Sequence, residues 1–202
     1  MKKIMVSVLL IVLSVILLAC QPVNLSIEPP KGDQPQTVQA DEQESTEAVS
    51  EAVEEASVEE GFLPGKKAID VSLDDIDGNP VSLSDFEGQV VILNFFASWC
   101  PPCRAEMPYI NEAYLENKDD GVVVLGINLT EQDKLEDMYA LLEEFEIAFP
   151  ILLDEKSVAA RDYKVRSIPT SVVVGPDGII TDYHVGTINK EQFLKLVENA
   201  RQ

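Results

Sequence analysis

The sequence is poor in the side chains that most often carry chemistry. Its 202 residues include three cysteines, one histidine and one tryptophan. Cations are scarce as well, with 15 lysines and arginines against 36 aspartates and glutamates, for a formal net charge of −21. Phosphate recognition needs clustered cations, so no nucleic-acid partner is expected. A structural zinc site normally takes four ligands, and beyond the N-terminal region the cysteines and histidine amount to Cys100, Cys103 and His184. With 46% apolar residues the composition is globular, and the length fits one domain with extra sequence at an end.

That extra sequence is at the front. Two lysines follow Met1, and an uncharged, mostly apolar run extends from Ile4 to Leu18 before Ala19 and Cys20. This is the basic and then apolar pattern of an export signal, and the run is shorter than the roughly 20 residues of a membrane-spanning helix. Leu17-Leu18-Ala19-Cys20 is similar to a bacterial lipobox, which implies a signal peptide over 1–19 and a lipid on Cys20. An ordinary signal or a short uncleaved anchor is the other reading. Each places the remainder outside the cytoplasm, and the lipid places it on the extracytoplasmic face of the bacterial cell membrane. An exported chain with three cysteines has one thiol left over. Lipidation of Cys20 accounts for it and leaves the pair Cys100 and Cys103.

Residues 21–60 hold no aromatic side chain, four prolines, one lysine and eleven acidic residues. Such a composition buries too little apolar surface to offset its ordering entropy, so 20–60 reads as a lipid-anchored, disordered acidic tether. Fully extended, it would reach about 130 Å. Ala48, Val49, Ala52, Val53 and Ala56 have helical spacing, but Glu47, Glu51, Glu55 and Glu59 repel one another at four-residue intervals.

From Gly61 the pattern becomes that of an α/β domain, 61–202. An Asp77-Gly78-Asn79-Pro80 turn before Val81–Asp85 predicts an N-terminal hairpin. The apolar runs 90–97 and 122–129 predict strands buried on both faces. Cys103, Met107, Ile110 and Tyr114 share one helical stripe, predicting a helix over 101–117 between them. Thr130 is expected to cap a helix bearing Leu135, Met138, Tyr139, Leu142 and Phe145. A strand at 151–153, a short helix at 157–163, strands at 170–174 and 179–185 around Gly175-Pro176-Asp177-Gly178, and a last helix capped by Asn189 complete the order. This order predicts a mixed central sheet flanked by helices.

Cys100 falls where the first buried strand turns into a helix. Unpaired N–H groups and the positive end of the helix dipole stabilise a thiolate there. Cys100 at the helix start is expected to be exposed and to attack, and Cys103, on the apolar stripe, to be buried and to act second. A structural disulfide across two residues would constrain the unfolded chain little. Zinc lacks a fourth ligand, whereas a two-thiolate copper(I) carrier is chemically possible.

The string Asn94-Phe95-Phe96-Ala97-Ser98-Trp99-Cys100-Pro101-Pro102-Cys103-Arg104-Ala105-Glu106-Met107-Pro108, with Ile168-Pro169-Thr170 and Gly175-Pro176-Asp177-Gly178, resembles the thioredoxin superfamily and its anchored TlpA/ResA-like branch over about 62–200. The resemblance implies a thioredoxin-like fold and a redox disulfide between Cys100 and Cys103, with no metal or organic cofactor. It implies a cis Pro169 facing the sulfurs, so that Ile168, Pro169 and Thr170, together with Trp99, Pro101 and Pro102, form the substrate-binding surface. Pro108 should kink the first helix. Ordinary thioredoxins carry a buried aspartate where Asn94 stands, so another group must take the Cys103 proton. By its position Glu106 is either a solvated helix residue or that base, and the resemblance favours the base.

The implied activity is thiol–disulfide exchange, with reduction as the expected direction. Disulfide-containing proteins are the implied substrates, apocytochrome c among them, and a membrane electron donor of the CcdA type is the implied partner. Two alternatives stand beside it. A peroxiredoxin-like peroxidase would need a Thr or Ser and a Pro where Ala97 and Leu93 stand. A copper(I)-delivery module of the Sco type would separate its cysteines by three residues and use a distal histidine, here His184.

Overall fold

The computed structural model describes residues 58–202. The signal, Cys20 and nearly all of the tether lie outside the described residues. Glu60, which the sequence assigns to the tether, already belongs to a strand, because Glu60–Gly61 (β1) pairs with Lys67–Ala68 (β2).

The predicted hairpin is present, but shorter and shifted. Ser72–Asp74 (β3) pairs antiparallel with Pro80–Ser82 (β4), across a turn in which Asp75 accepts from the N–H groups of Asp77 and Asn79. The expected strand 81–85 stops at Ser82, whose N–H donates to the Asp85 carboxylate at 2.8 Å, opening a 3-10 turn over Leu83–Phe86.

Val90–Phe96 (β5) is buried at every position and is the middle of a five-stranded mixed sheet. It pairs parallel with Val122–Asn128 (β6), which pairs with Ile151–Leu153 (β7). On its other edge it pairs antiparallel with Thr170–Val174 (β8), followed by Ile180–Val185 (β9). Strand alternation sorts the core into two layers. Ile92 and Phe96 face a cluster with Met107, Ile110, Phe193 and Val197, whereas Val91, Leu93 and Phe95 face Leu125, Leu152, Tyr163 and Val172.

The helices are Pro101–Asn117 (α1), Leu135–Glu144 (α2), Val158–Asp162 (α3) and Lys190–Ala200 (α4). The first matches its predicted bounds, with Pro108 inside it. Asn189 caps α4 in a capping box with Gln192. Thr130 does not cap α2, because residues 130–132 form a separate 3-10 turn and the helix starts only after Lys134. Of the stripe expected on α2, Met138 is buried, Leu142 and Phe145 are partly buried against the core, Leu135 and Tyr139 are exposed, and Leu141 is buried as well.

Candidate active site

The site forms where β5 ends. Ala97, Ser98 and Trp99 carry the chain from the sheet to α1, and Cys100 is the helix N-cap, its N–H donating to the Ala97 carbonyl at 3.2 Å. Pro101 and Pro102 fit the next two positions because the N–H groups of a first helical turn have no intrahelical partner to lose. Cys103 follows on the buried stripe, and the two cysteines form a disulfide with their Cα atoms 5.3 Å apart. The Cys103 N–H donates to Cys100 Sγ at 3.3 Å.

Cys100 is less exposed than expected, at 3%. Its sulfur is bonded inward to Cys103 and covered by the loop from β7 to β8, whose Ile168 carbonyl oxygen lies 3.8 Å away. It nevertheless lines a groove of about 420 Å³, together with Trp99, Pro101, Pro102 and Ile168, whereas Cys103 does not. Trp99 is the exposed wall of that groove, and its indole N–H donates to the Gln132 carbonyl at 2.8 Å.

The Ile168–Pro169 peptide is cis, as the resemblance implied. Pro169 and Thr170 are buried behind the groove rather than lining it. The Thr170 hydroxyl donates to the Ser167 carbonyl at 2.7 Å, and the Pro169 carbonyl accepts from Gly186 N–H at 2.9 Å, so both brace the loop.

Glu106 is not a solvated helix residue; it is 1% exposed. Asn94 on β5 donates its amide N–H to one carboxylate oxygen at 2.9 Å, and the Ile188 N–H donates to the other at 2.9 Å. Burial pushes the carboxyl up to about 7, with these two donors opposing the rise. Asn94 also donates to the hydroxyl of Ser171, its cross-strand partner on β8, at 3.1 Å. Its own Oδ1 is buried without a hydrogen-bond partner. Glu106 therefore shares one helix with the cysteines and is hydrogen-bonded to β5 and to the loop between β9 and α4.

A second carboxylate frames the site and was not foreseen. Asp133 accepts from Ser98 N–H at 2.6 Å, Ser98 hydroxyl at 2.5 Å, Asn128 amide at 2.7 Å and Lys134 N–H at 2.9 Å. It ties the approach to Cys100 to the end of β6. No periodicity marks such a residue, because its main partner is 35 positions earlier in the chain. His184 sits on β9 opposite Ser171, two strands from β5, and does not line the groove beside Cys100. Among the described residues, no group of three or more His, Cys, Asp or Glu side chains is arranged to hold a metal.

Comparison with known proteins places this geometry. The AhpC/TSA family model matches residues 64–183. Thioredoxin-like protein YneN of Bacillus subtilis is 40% identical over 135 residues, 66% of this chain and 78% of that protein. Thiol-disulfide oxidoreductase ResA of Geobacillus kaustophilus is 35% identical over 137 residues, 68% of this chain and 78% of that protein. The crystal structure of StoA from Bacillus subtilis superposes with a TM-score of 0.56 at 30% identity, covering 63% of this chain and 96% of that one. By family match, by these relatives and by its cysteine-bearing thioredoxin-like fold, the chain belongs to the AhpC/TSA family and is a thiol–disulfide oxidoreductase akin to ResA and StoA.

Proposed function

We propose that the chain reduces disulfides in proteins on the extracytoplasmic face of a bacterial membrane, held there by lipid on Cys20 and spaced from it by the acidic tether. The observation that carries the catalytic part of this reading is the division of labour around α1. Cys100 borders the groove, Cys103 is sealed behind it, and Glu106 stands one helical turn further along with its carboxyl near neutrality.

The cycle starts from the dithiol. The Cys100 thiolate attacks one sulfur of the substrate disulfide, that bond breaks, and the other substrate sulfur leaves as a thiolate. Cys103 then gives its proton to Glu106 and attacks Cys100 Sγ, releasing the second substrate thiolate. Two electrons have passed to the substrate, and the enzyme is left with the Cys100–Cys103 disulfide. In this reading Trp99, Pro101, Pro102 and Ile168 contact the substrate segment, and Pro169 and Thr170 hold the loop against which it pairs as an added strand.

The donors at Cys100 support the reductive direction. Pro101 and Pro102 supply no N–H, so the sulfur receives one backbone donor, from Cys103. A weakly stabilised thiolate makes the reduced form a better electron donor. Reduction outside the cytoplasm needs electrons from inside, so a membrane carrier of the CcdA type is the proposed donor. Apocytochrome c, whose haem-attachment cysteines can form a disulfide, is the proposed substrate. A peroxidase reading is not adopted, since Ala97 and Leu93 are buried apolar residues where that chemistry needs a hydroxyl and a proline.

The test is a redox titration followed through Trp99, the only tryptophan. A two-electron transition near or below about −230 mV is expected, and one near about −120 mV would make the protein an oxidant. Absence of any reversible transition would remove disulfide exchange altogether. Metabolic labelling with a fatty acid, lost on Cys20→Ala, tests the anchor.

A further inference from the structure

The domain is acidic, yet the surface beside Cys100 is not. From residue 61 onward the sequence has 25 acidic and 12 basic residues, and three of the basic ones, Arg161, Lys164 and Arg166, fall within six positions. That stretch contains the end of α3 and the loop leading to Ile168. The Val165 N–H turns back to the Ala160 carbonyl at 2.8 Å, and Lys164 takes a left-handed backbone with φ of 52°. The turn keeps Arg161, Lys164 and Arg166 exposed while Tyr163 is buried.

These cations line the surface that continues from the active-site groove. Arg166 borders the groove itself, and also a hollow of about 400 Å³ with Arg161 and Lys164, and another of about 290 Å³ with Lys164, Phe62 and Tyr183. No acidic residue lines any of the three. Asp162, exposed beside Arg161, lines none of them, and Glu131 reaches only the edge of the 400 Å³ hollow, where it accepts from the Ser157 hydroxyl at 2.5 Å. Among the described residues none of the three cations forms an ion pair, whereas Lys66, Arg104 and Lys190 all do. Leu129, Ala160 and Val165 supply an apolar floor between them.

Unpaired cations over an apolar floor, opening directly onto the attacking sulfur, form a recognition surface for a polypeptide segment of opposite charge. We propose that Arg161, Lys164 and Arg166 select disulfide substrates in which acidic residues flank the cysteine that Cys100 attacks. The proposal rests on the disulfide-exchange reading above and names the chemistry of its substrate. It runs against the net charge of the domain, which by itself would favour basic partners.

The experiment uses the full chain in its reduced form and three cyclic disulfide peptides with the same ring, flanked by aspartates, by glutamines or by lysines. Oxidation of the chain is followed through Trp99 as a second-order rate constant. At ionic strength of about 0.01 M, where the screening length is about 30 Å, the aspartate peptide should react about tenfold faster than the lysine peptide. The ratio should fall towards one at about 1 M salt. Arg161→Glu with Lys164→Glu should abolish or invert the ratio. Lys118→Glu with Lys195→Glu, an equal change in net charge on exposed positions elsewhere, should leave it as in the wild type. The ratio cancels any general change in reactivity. A wild-type ratio of one or less with all three peptides reacting, or equal responses of the two double variants, overturns this proposal alone. No reaction with any peptide removes the disulfide-exchange reading and this proposal with it.

Discussion

Two carboxylates flank the cysteine helix, and they differ in how they are satisfied. Glu106 is sealed between α1 and the sheet with two N–H donors. Asp133, half-buried at the rim, accepts four hydrogen bonds from Ser98, Asn128 and Lys134. Burial with few donors leaves a carboxyl able to exchange a proton near neutral pH. A rim carboxylate with every lone-pair direction occupied serves as a joint between loops. One residue chemistry thus supports two tasks, and the surroundings decide which.

The largest effect should come from removing the proposed proton acceptor. Glu106→Gln keeps the size and one acceptor oxygen, and should slow disulfide reduction by about 10²- to 10⁴-fold. Mass spectrometry should then find the mixed disulfide accumulating, because Cys103 is no longer deprotonated. A variant with wild-type turnover would place Glu106 among structural residues, beside Asp133.

Asp133→Ala should break the other half of the comparison. It leaves the Ser98 N–H and the Asn128 amide without their acceptor, and should lower stability by about 3 kcal/mol in urea denaturation. Activity should drop by about tenfold through misplacement of Trp99 and Cys100, with the pH dependence of the rate unmoved. A moved inflection would show that Asp133 takes part in the proton transfer.

The pH dependence of stability separates the two more finely. Glu106 has its folded carboxyl raised from 4.5 to about 7. Between those values the folded chain holds a proton that the unfolded chain has released. Stability contributed by this group is present below the lower value and declines as pH rises through the upper one, by at most about 1.4 kcal/mol per pH unit. Thermal unfolding of the oxidised chain should show this decline between pH 5 and pH 7 as a loss of about 2 kcal/mol, and Glu106→Gln should remove it.

The smallest effect is a displacement. Asn94→Asp would put a second carboxyl against Glu106, and like charges should move the inflection of the pH–rate profile upward by about one unit. An unmoved inflection would mean that the new carboxyl stays protonated throughout.

Much of the frame could be read from local pattern, because burial on both faces leaves a continuous apolar run and helical packing leaves a stripe. On that basis α1 was anticipated to the residue and β5 to within one. The errors fell where a local preference competes with a nearby alternative. Thr130 is a good cap by type, yet its hydroxyl donates to Asn128 and the chain makes a 3-10 turn before α2 begins. Ser82 and Asp85 read as strand residues, but the Asp85 carboxylate accepts from the Ser82 N–H and the strand ends there. At the site, the cysteines, Trp99 and Pro169 are visible as motifs, whereas Ser171, Asp133 and the pairing of Asp133 with Ser98 are not.

Sequence alone determined that two cysteines sit at a helix start after a buried strand, that prolines follow the first of them, and that no ionisable group stands at Asn94. These depend on spacing and side-chain type, which the chain carries with it. Tertiary structure alone decided that Glu106 is buried, which pushes its carboxyl up to about 7 against the opposing effect of its two donors, Asn94 and Ile188, 12 and 82 positions away. It also decided that Cys100 is covered by Ile168, and that the three cations of 161–166 lie beside a sulfur some 60 positions earlier in the chain. A pKa and a groove are properties of what surrounds a residue, and those surroundings exist only once distant segments have packed.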